Sequence, residues 1–203
     1  MVIQVKEKMK AFVTNNAMNK DYQFADVEID TDNVKAIMIN EVVPSNPEDD
    51  FYGKNNLPFY LTTTLPLFSK AGSSISSIED VTNAGIYITN AVKIPKRNTT
   101  IEKDVIEQSI PILEYEISLF SNVKVIMLMG DVAKKAFNHI AKSKIKKNVI
   151  PNGATYKLRN GEFYYENIRV FPSYIMTGGN ILIEKSKVAM ASEDIQKMLQ
   201  LIQ

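Results

Sequence analysis

The chain has no cysteine, no tryptophan and a single histidine, His139. Without cysteine there are no disulfides, no thiolate nucleophile and no cysteine-held iron–sulfur cluster, and one imidazole does not make a zinc set. The expected chemistry therefore uses neither a metal nor a cofactor. Glu48, Asp49 and Asp50 offer the oxygen ligands that magnesium takes, but they read first as a charged surface turn. Long apolar runs are also missing, since the longest uncharged stretch is Val125 to Met129. The N-terminal segment carries Lys6, Glu7, Lys8 and Lys10 where a secretory signal would be apolar, so a cytoplasmic protein with no membrane partner is expected. Nor is there an excess of charge of one sign: 24 Lys and Arg face 23 Asp and Glu, a net charge of +1. A polyanion would have to be met by a local basic patch.

What remains is the composition of a globular protein, 45% apolar and 23% charged over 203 residues. That length suits one domain, 1–203, with residues 1–33 as an N-terminal helix (Val2 to Ala17) and lead-in, acting as a monomer. Val34 to Ile39, Gly85 to Thr89 and Val123 to Met129 are apolar runs of the kind that form parallel strands covered on both faces. Between them, Ile106, Ile110, Leu113, Ile117 and Phe120 recur at helical spacing within Ile101 to Phe120. Thr99 and Glu102 suggest a capping box for that helix, and Pro111 a kink or break. A helix follows Gly130 from Asp131 to Ala141, and another closes the chain from Ser192 to Ile202. Ala154 to Leu158 and Phe163 to Phe171 read as a hairpin turning at Asn160-Gly161. The alternation predicts an α/β fold, a three-layer α/β/α sandwich with a central, mainly parallel sheet.

Ligands of such sheets bind outside the carboxyl ends of the strands. Three segments meet there: Asn40-Glu41 with the loop to Gly53, Asn90 to Asn98, and Pro172 to Asn180. In the second, YITNAVKIPKRN, an apolar strand ends on the amide of Asn90 and is followed by Lys93, Pro95, Lys96 and Arg97. By itself Asn90 is either a turn residue or a group facing a ligand. Likewise Glu41 is a solvated loop acid or a catalytic one. His139 shares a helix with Ala133, Ala136, Phe137 and Ile140 and is expected to face solvent.

At these segments the chain resembles the uracil-DNA glycosylase superfamily, most closely its iron–sulfur branch. INEVVPSNPEDDFYG (Ile39 to Gly53) matches that branch's first motif, with Glu41 on its acid. Ile88 to Lys93 matches a strand-Asn-x-x-Lys element, and Glu107 to Phe137 follows the family's helix-strand-helix pattern. The cluster cysteines are absent, and Phe171-Pro172-Ser173 stands where active members commonly carry His-Pro-Ser.

The resemblance implies an enzyme that flips a base out of DNA and hydrolyses its N-glycosidic bond in base-excision repair, with uracil or another deaminated base as substrate. It implies Glu41 as the carboxylate opposite the cationic sugar, and Ser173, Asn180 or the backbone N–H groups near Gly178-Gly179 as donors to the departing base in place of the histidine. Asn90 would read the base edge, Phe59, with Phe51 or Tyr52 as alternatives, would stack on the base, Lys93, Lys96 and Arg97 would contact phosphates, and Ile175 or Met176 would fill the gap in the duplex. Two rival readings stand beside it: a catalytically inactive base- or DNA-binding module of the same fold, and a small-nucleotide enzyme on a flavodoxin-like sandwich.

Overall fold

The computed structural model describes residues 1–203. A short antiparallel pair, β1 (Val2–Gln4) with β2 (Glu28–Asp30), flanks helix α1 (Val5–Asn15). The main sheet holds β3 (Ala36–Val42), β4 (Ile86–Val92), β5 (Val125–Met129), β6 (Phe163–Tyr165) and β7 (Ile168–Ser173) in the order β4-β3-β5-β7-β6. All neighbours are parallel except the edge strand β6, which pairs antiparallel with β7. This is the three-layer sandwich expected from the alternating pattern.

Strand periodicity divides the interior in two. Ile37, Ile39, Tyr87, Ile126 and Leu128 face α1, α4 (Lys103–Ser118) and α5 (Asp131–Ile145). Their neighbours Ala36, Met38, Ile86, Ile88, Val125 and Met127 face α2 (Phe59–Lys70), α3 (Ile78–Asn83) and α8 (Lys185–Ile202). Successive side chains alternate across a sheet, so a continuous apolar run covers both faces at once.

Several local expectations are corrected. Helix α4 starts at Lys103 with no side-chain cap; Glu102 instead accepts from Asn98 at 3.1 Å. The capping box of this molecule is Ser77 with Asp80, at the start of α3. Pro111 lies inside α4, and Pro66 inside α2, without ending either helix. Both prolines are on exposed positions, where the carbonyl each one leaves unbonded meets solvent. The segment expected to be the first hairpin strand contains instead the turn of helix α6 (Thr155–Leu158), and the hairpin turns at Glu166, whose φ is 53°. A short helix α7 (Asn180–Ile183) precedes α8, which begins seven residues before Ser192.

Lys93, expected on the DNA surface, is 1% exposed. Its Nζ lies 2.5 Å from Glu116 of α4 and 2.7 Å from the Thr89 hydroxyl, and Tyr87 donates to the same carboxylate at 2.7 Å. A lysine sealed in this way cannot reach a phosphate. Removing one member of a buried pair leaves the other charge uncompensated. Lys93→Met is therefore expected to cost about 3 to 5 kcal/mol in urea denaturation, and adding Glu116→Leu to recover much of that loss. Equal stability of Lys93→Met and the parent would show that the pair contributes nothing.

Candidate functional site

Two different polar arrangements occupy the carboxyl edge of the sheet, one on each side of it. On the α2 side, Asn40 and Asn90 are register partners at the ends of β3 and β4. Thr177 donates to Asn40 Oδ1 at 3.1 Å, Asn40 donates to Asn90 Oδ1 at 2.8 Å, and Asn90 donates to both Asp50 carboxylate oxygens at 3.0 Å. Three segments distant in sequence are thus joined by one directional chain. Burial holds the Asp50 carboxyl above its usual range, against the lowering effect of the Asn90 amide and the Phe51 N–H.

On the other side, Glu41 follows Asn40 by one residue and so turns to the α5 face. Its Oε1 accepts the N–H of Val132 at 3.0 Å, in the first turn of α5. An unpaired helix N-terminus suits a carboxylate there. Gly130 makes the approach possible: its φ is 103°, and a Cβ on it would fall 2.4 Å from Glu41 Oε1 and 2.6 Å from Ile175 Cγ1. Burial is the largest influence on Glu41 and raises its pKa; the Val132 N–H and, more weakly, Lys96 oppose that rise.

Glu41 opens onto a cavity of about 580 Å³, lined also by Ser173, Tyr174, Ile175, Thr177 and Asn180. The space is large enough for a nucleoside-sized group. Ile175 is 41% exposed at its rim. Of the residues singled out in the sequence, Glu41, Ser173, Ile175 and Asn180 are therefore brought together. Lys96 and Arg97 are exposed and line a separate hollow with Lys20.

The remaining candidates are placed elsewhere. Tyr52 packs its ring against Tyr87, with centroids 5.9 Å apart, and its hydroxyl accepts the Ile88 N–H at 3.0 Å, so it is a core residue and not a base platform. Phe59 begins α2, 48% exposed, and does not line the cavity. Asn90 is 3% exposed with its amide committed on both ends. Ser173 faces the cavity but gives its proton to buried Asp194 at 2.7 Å, leaving an acceptor where a donor was expected. Met176 is fully buried and cannot wedge into DNA. Phe171 lies two residues inside β7, packed among the α8-side core with Arg169 4.6 Å from its ring.

The cavity also holds residues that sequence reasoning passed over. Tyr156, 57% exposed, stands on its wall with Lys187 and Glu184, which pair at 2.8 Å. Tyr156 falls in α6, where a hairpin strand was expected, so no pattern pointed it towards the site.

A doubly wound sheet with a carboxylate-bearing cavity at its carboxyl edge defines a class of α/β proteins that bind ligands at that edge. Within that class, residues 42–180 match the model of the uracil DNA glycosylase superfamily, and the chain belongs to this family. Its function is accordingly of the DNA glycosylase type, with DNA as partner. No curated protein matches the chain. No helix is long and apolar enough to cross a membrane.

The Asn90 to Asp50 contact makes Asn90→Asp a stability test. Two carboxylates would then meet at 3.0 Å, the present spacing from amide to carboxylate. Sharing one proton, such a pair has a raised folded-state pKa, so its penalty is smallest in acid and grows as pH rises through that value. A loss of about 2 kcal/mol at neutral pH is expected, shrinking towards pH 4 in denaturation curves. A small, pH-independent change would mean that the amide does not hold the network.

Proposed function

We propose that the chain binds a flipped, deaminated base in DNA, uracil foremost, and hydrolyses its N-glycosidic bond as a step of base-excision repair. The observation that carries this reading is Glu41: a half-buried carboxylate, fixed by the first turn of α5, at the floor of a nucleoside-sized cavity. Cleavage builds positive charge on the sugar, and a preorganised carboxylate in a poorly hydrated cavity stabilises it and orients the attacking water. Asn180 supplies an amide towards the departing base, and Ile175 sits at the rim where the emptied stack would be filled. Tyr156 and Tyr174, in place of Tyr52 or Phe59, offer ring faces for the base. Asn90 fixes Asn40 and through it the Thr177 loop; reading the base edge itself requires Thr177 and Asp50 to give up their bonds to the two amides. On this reading residues 1–203 work as one unit, a monomer in the cytoplasm.

The inactive-module reading has its own support. Phe171 and Ser173 between them offer no free donor to a leaving base. An excision assay over duplexes bearing uracil, hypoxanthine, xanthine or mismatched thymine separates the two. With the parent protein, strand breaks after alkali at one of these bases establish hydrolysis; retention of lesion DNA without breaks establishes the module.

Glu41→Gln is expected to lower single-turnover excision by about a hundredfold or more while changing Kd less than threefold, because the lost charge acts on the transition state. Glu41 works ionised, so the parent's rate should rise with pH through a value above the ordinary glutamate range, and the variant's residual rate should lack that step. Equal rates would remove Glu41 from the chemistry.

Lys96 and Arg97 form no ion pair and stand close enough to the site for Lys96 to influence Glu41. Replacing both with Ala should weaken binding for all duplex sequences alike and reduce the slope of log Kd against log salt by about 2. An unchanged slope would take this loop out of the interface.

A further inference from the structure

A second cavity of about 570 Å³ lies at the other end of the sheet, between the turn before β5, the β6–β7 hairpin and the last turns of α8. It belongs to none of the machinery above. Phe171 is part of its lining, and the Arg169 guanidinium lies between the Phe171 ring at 4.6 Å and the Tyr164 ring at 5.3 Å. Two of the five guanidinium N–H groups donate to the carbonyls of Phe163 at 3.1 Å and Gly161 at 2.9 Å, which fixes its plane. Tyr164 is nonetheless 53% exposed.

Charge distinguishes this groove from the other hollows. Lys187 shares the first cavity with Glu41, Asp131 and Glu184, and Lys20, Lys96 and Arg97 share theirs with Asp21, Glu102 and Asp104. Here Lys124, Arg169 and Lys197 come from three separate elements, form no ion pair, and share the lining with one acid, Glu162. The fourth cation, Arg159, is spent on Asp194 and Glu193. A chain of net charge +1 has thus concentrated free positive charge beside an exposed aromatic ring.

We propose that this groove binds a nucleotide unit, its base stacked on Tyr164 and its phosphate between Lys124, Arg169 and Lys197. Planar aromatic rings stack on bases without regard to sequence, and flanking cations hold the phosphate. The same chemistry is offered by a single-stranded stretch of DNA and by a free nucleotide. The groove lies at the amino ends of the strands, opposite the Glu41 cavity, so either ligand binds independently of a lesion held there.

The test is fluorescence-anisotropy titration of the full chain with a labelled oligothymidylate of about 12 nucleotides, alongside NMR titrations with thymidine monophosphate and with inorganic phosphate. Lys124→Glu with Lys197→Glu should weaken oligothymidylate binding at least about tenfold and lower its salt slope by roughly 1.4, two phosphate contacts on a single strand. These two side chains make no hydrogen bond in the fold, so the double variant is expected to stay folded. Tyr164→Leu should weaken binding by about tenfold and leave the salt slope unchanged. Shifts at Tyr164 and Arg169 with the mononucleotide assign the site to free nucleotides as well, while binding of the oligomer alone assigns it to a DNA strand. Binding of inorganic phosphate as tight as that of the mononucleotide, oligomer binding that the double variant leaves intact, or no binding of any probe would overturn the proposal.

Discussion

Strand β4 has to bury a polar end. Thr89, Asn90 and Lys93 are each at most 3% exposed, and every one carries groups that cost free energy in the interior unless they are bonded. Thr89 and Lys93 are satisfied by Glu116, which brings α4 against one face of the sheet. Asn90 is satisfied by Asn40 and Asp50, which draws the loop after β3 over the other face. Thr177 then closes on Asn40 and fixes the loop after β7. The carboxyl edge is shaped by these requirements before any ligand enters it.

The same requirements separate two kinds of acid. Asp50 and Glu41 lie nine residues apart in the chain, and burial raises both pKa values. Asp50 spends its oxygens on an amide and a backbone N–H within the protein, whereas Glu41 uses one on the first turn of α5 and faces open space. An acid that faces a cavity can respond to charge developing there; one enclosed by donors serves the fold. This is why Glu41 carries the functional reading although Asp50 is the more deeply enclosed.

The layered fold was legible because its signal is redundant: each apolar strand packs on both faces, and any run such as VKVIMLM registers that twice. Glu41, Ser173, Ile175 and Asn180 could be placed at one edge because topology alone sends the ends of parallel strands to the same side. Side-chain direction could not be read in this way. Lys93 looked like a surface cation because its partner Glu116 lies 23 residues on and is a charged residue outside the helix's apolar repeat, with nothing local to mark it as buried. Asn90 and Ser173 were found at the right edge, but their partners Asp50 and Asp194 come from a loop and a distant helix, and only packing shows that their hydrogen bonds are already made. Tyr156 escaped because the segment holding it changed from strand to helix.

The commitment of Ser173 bears on which half of a hydrolysis this edge is equipped to assist. Asp194 is completely buried, and burial raises its pKa despite the Ser173 hydroxyl and the Arg159 guanidinium that work to lower it. Withdrawing the Ser173 proton towards a ligand would remove one of the groups that make an ionised Asp194 tolerable, so the serine is held to the fold by the cost of leaving that acid short of donors. Phe171, turned into the core and against Arg169, contributes no donor either. Of the residues expected from the sequence to do chemistry, those free to act at the cavity are then an acid suited to a cationic sugar and an amide, Asn180, suited to a departing base. Of the two, the carboxylate is the better anchored, since Asn180 is exposed at the start of a four-residue helix. On the proposed reading, stabilisation of the sugar rests on a carboxylate that the fold already holds in place, while assistance to the leaving base depends on ordering around Asn180. Bases that already leave readily as anions need least of that assistance, and deaminated bases such as uracil are of that kind.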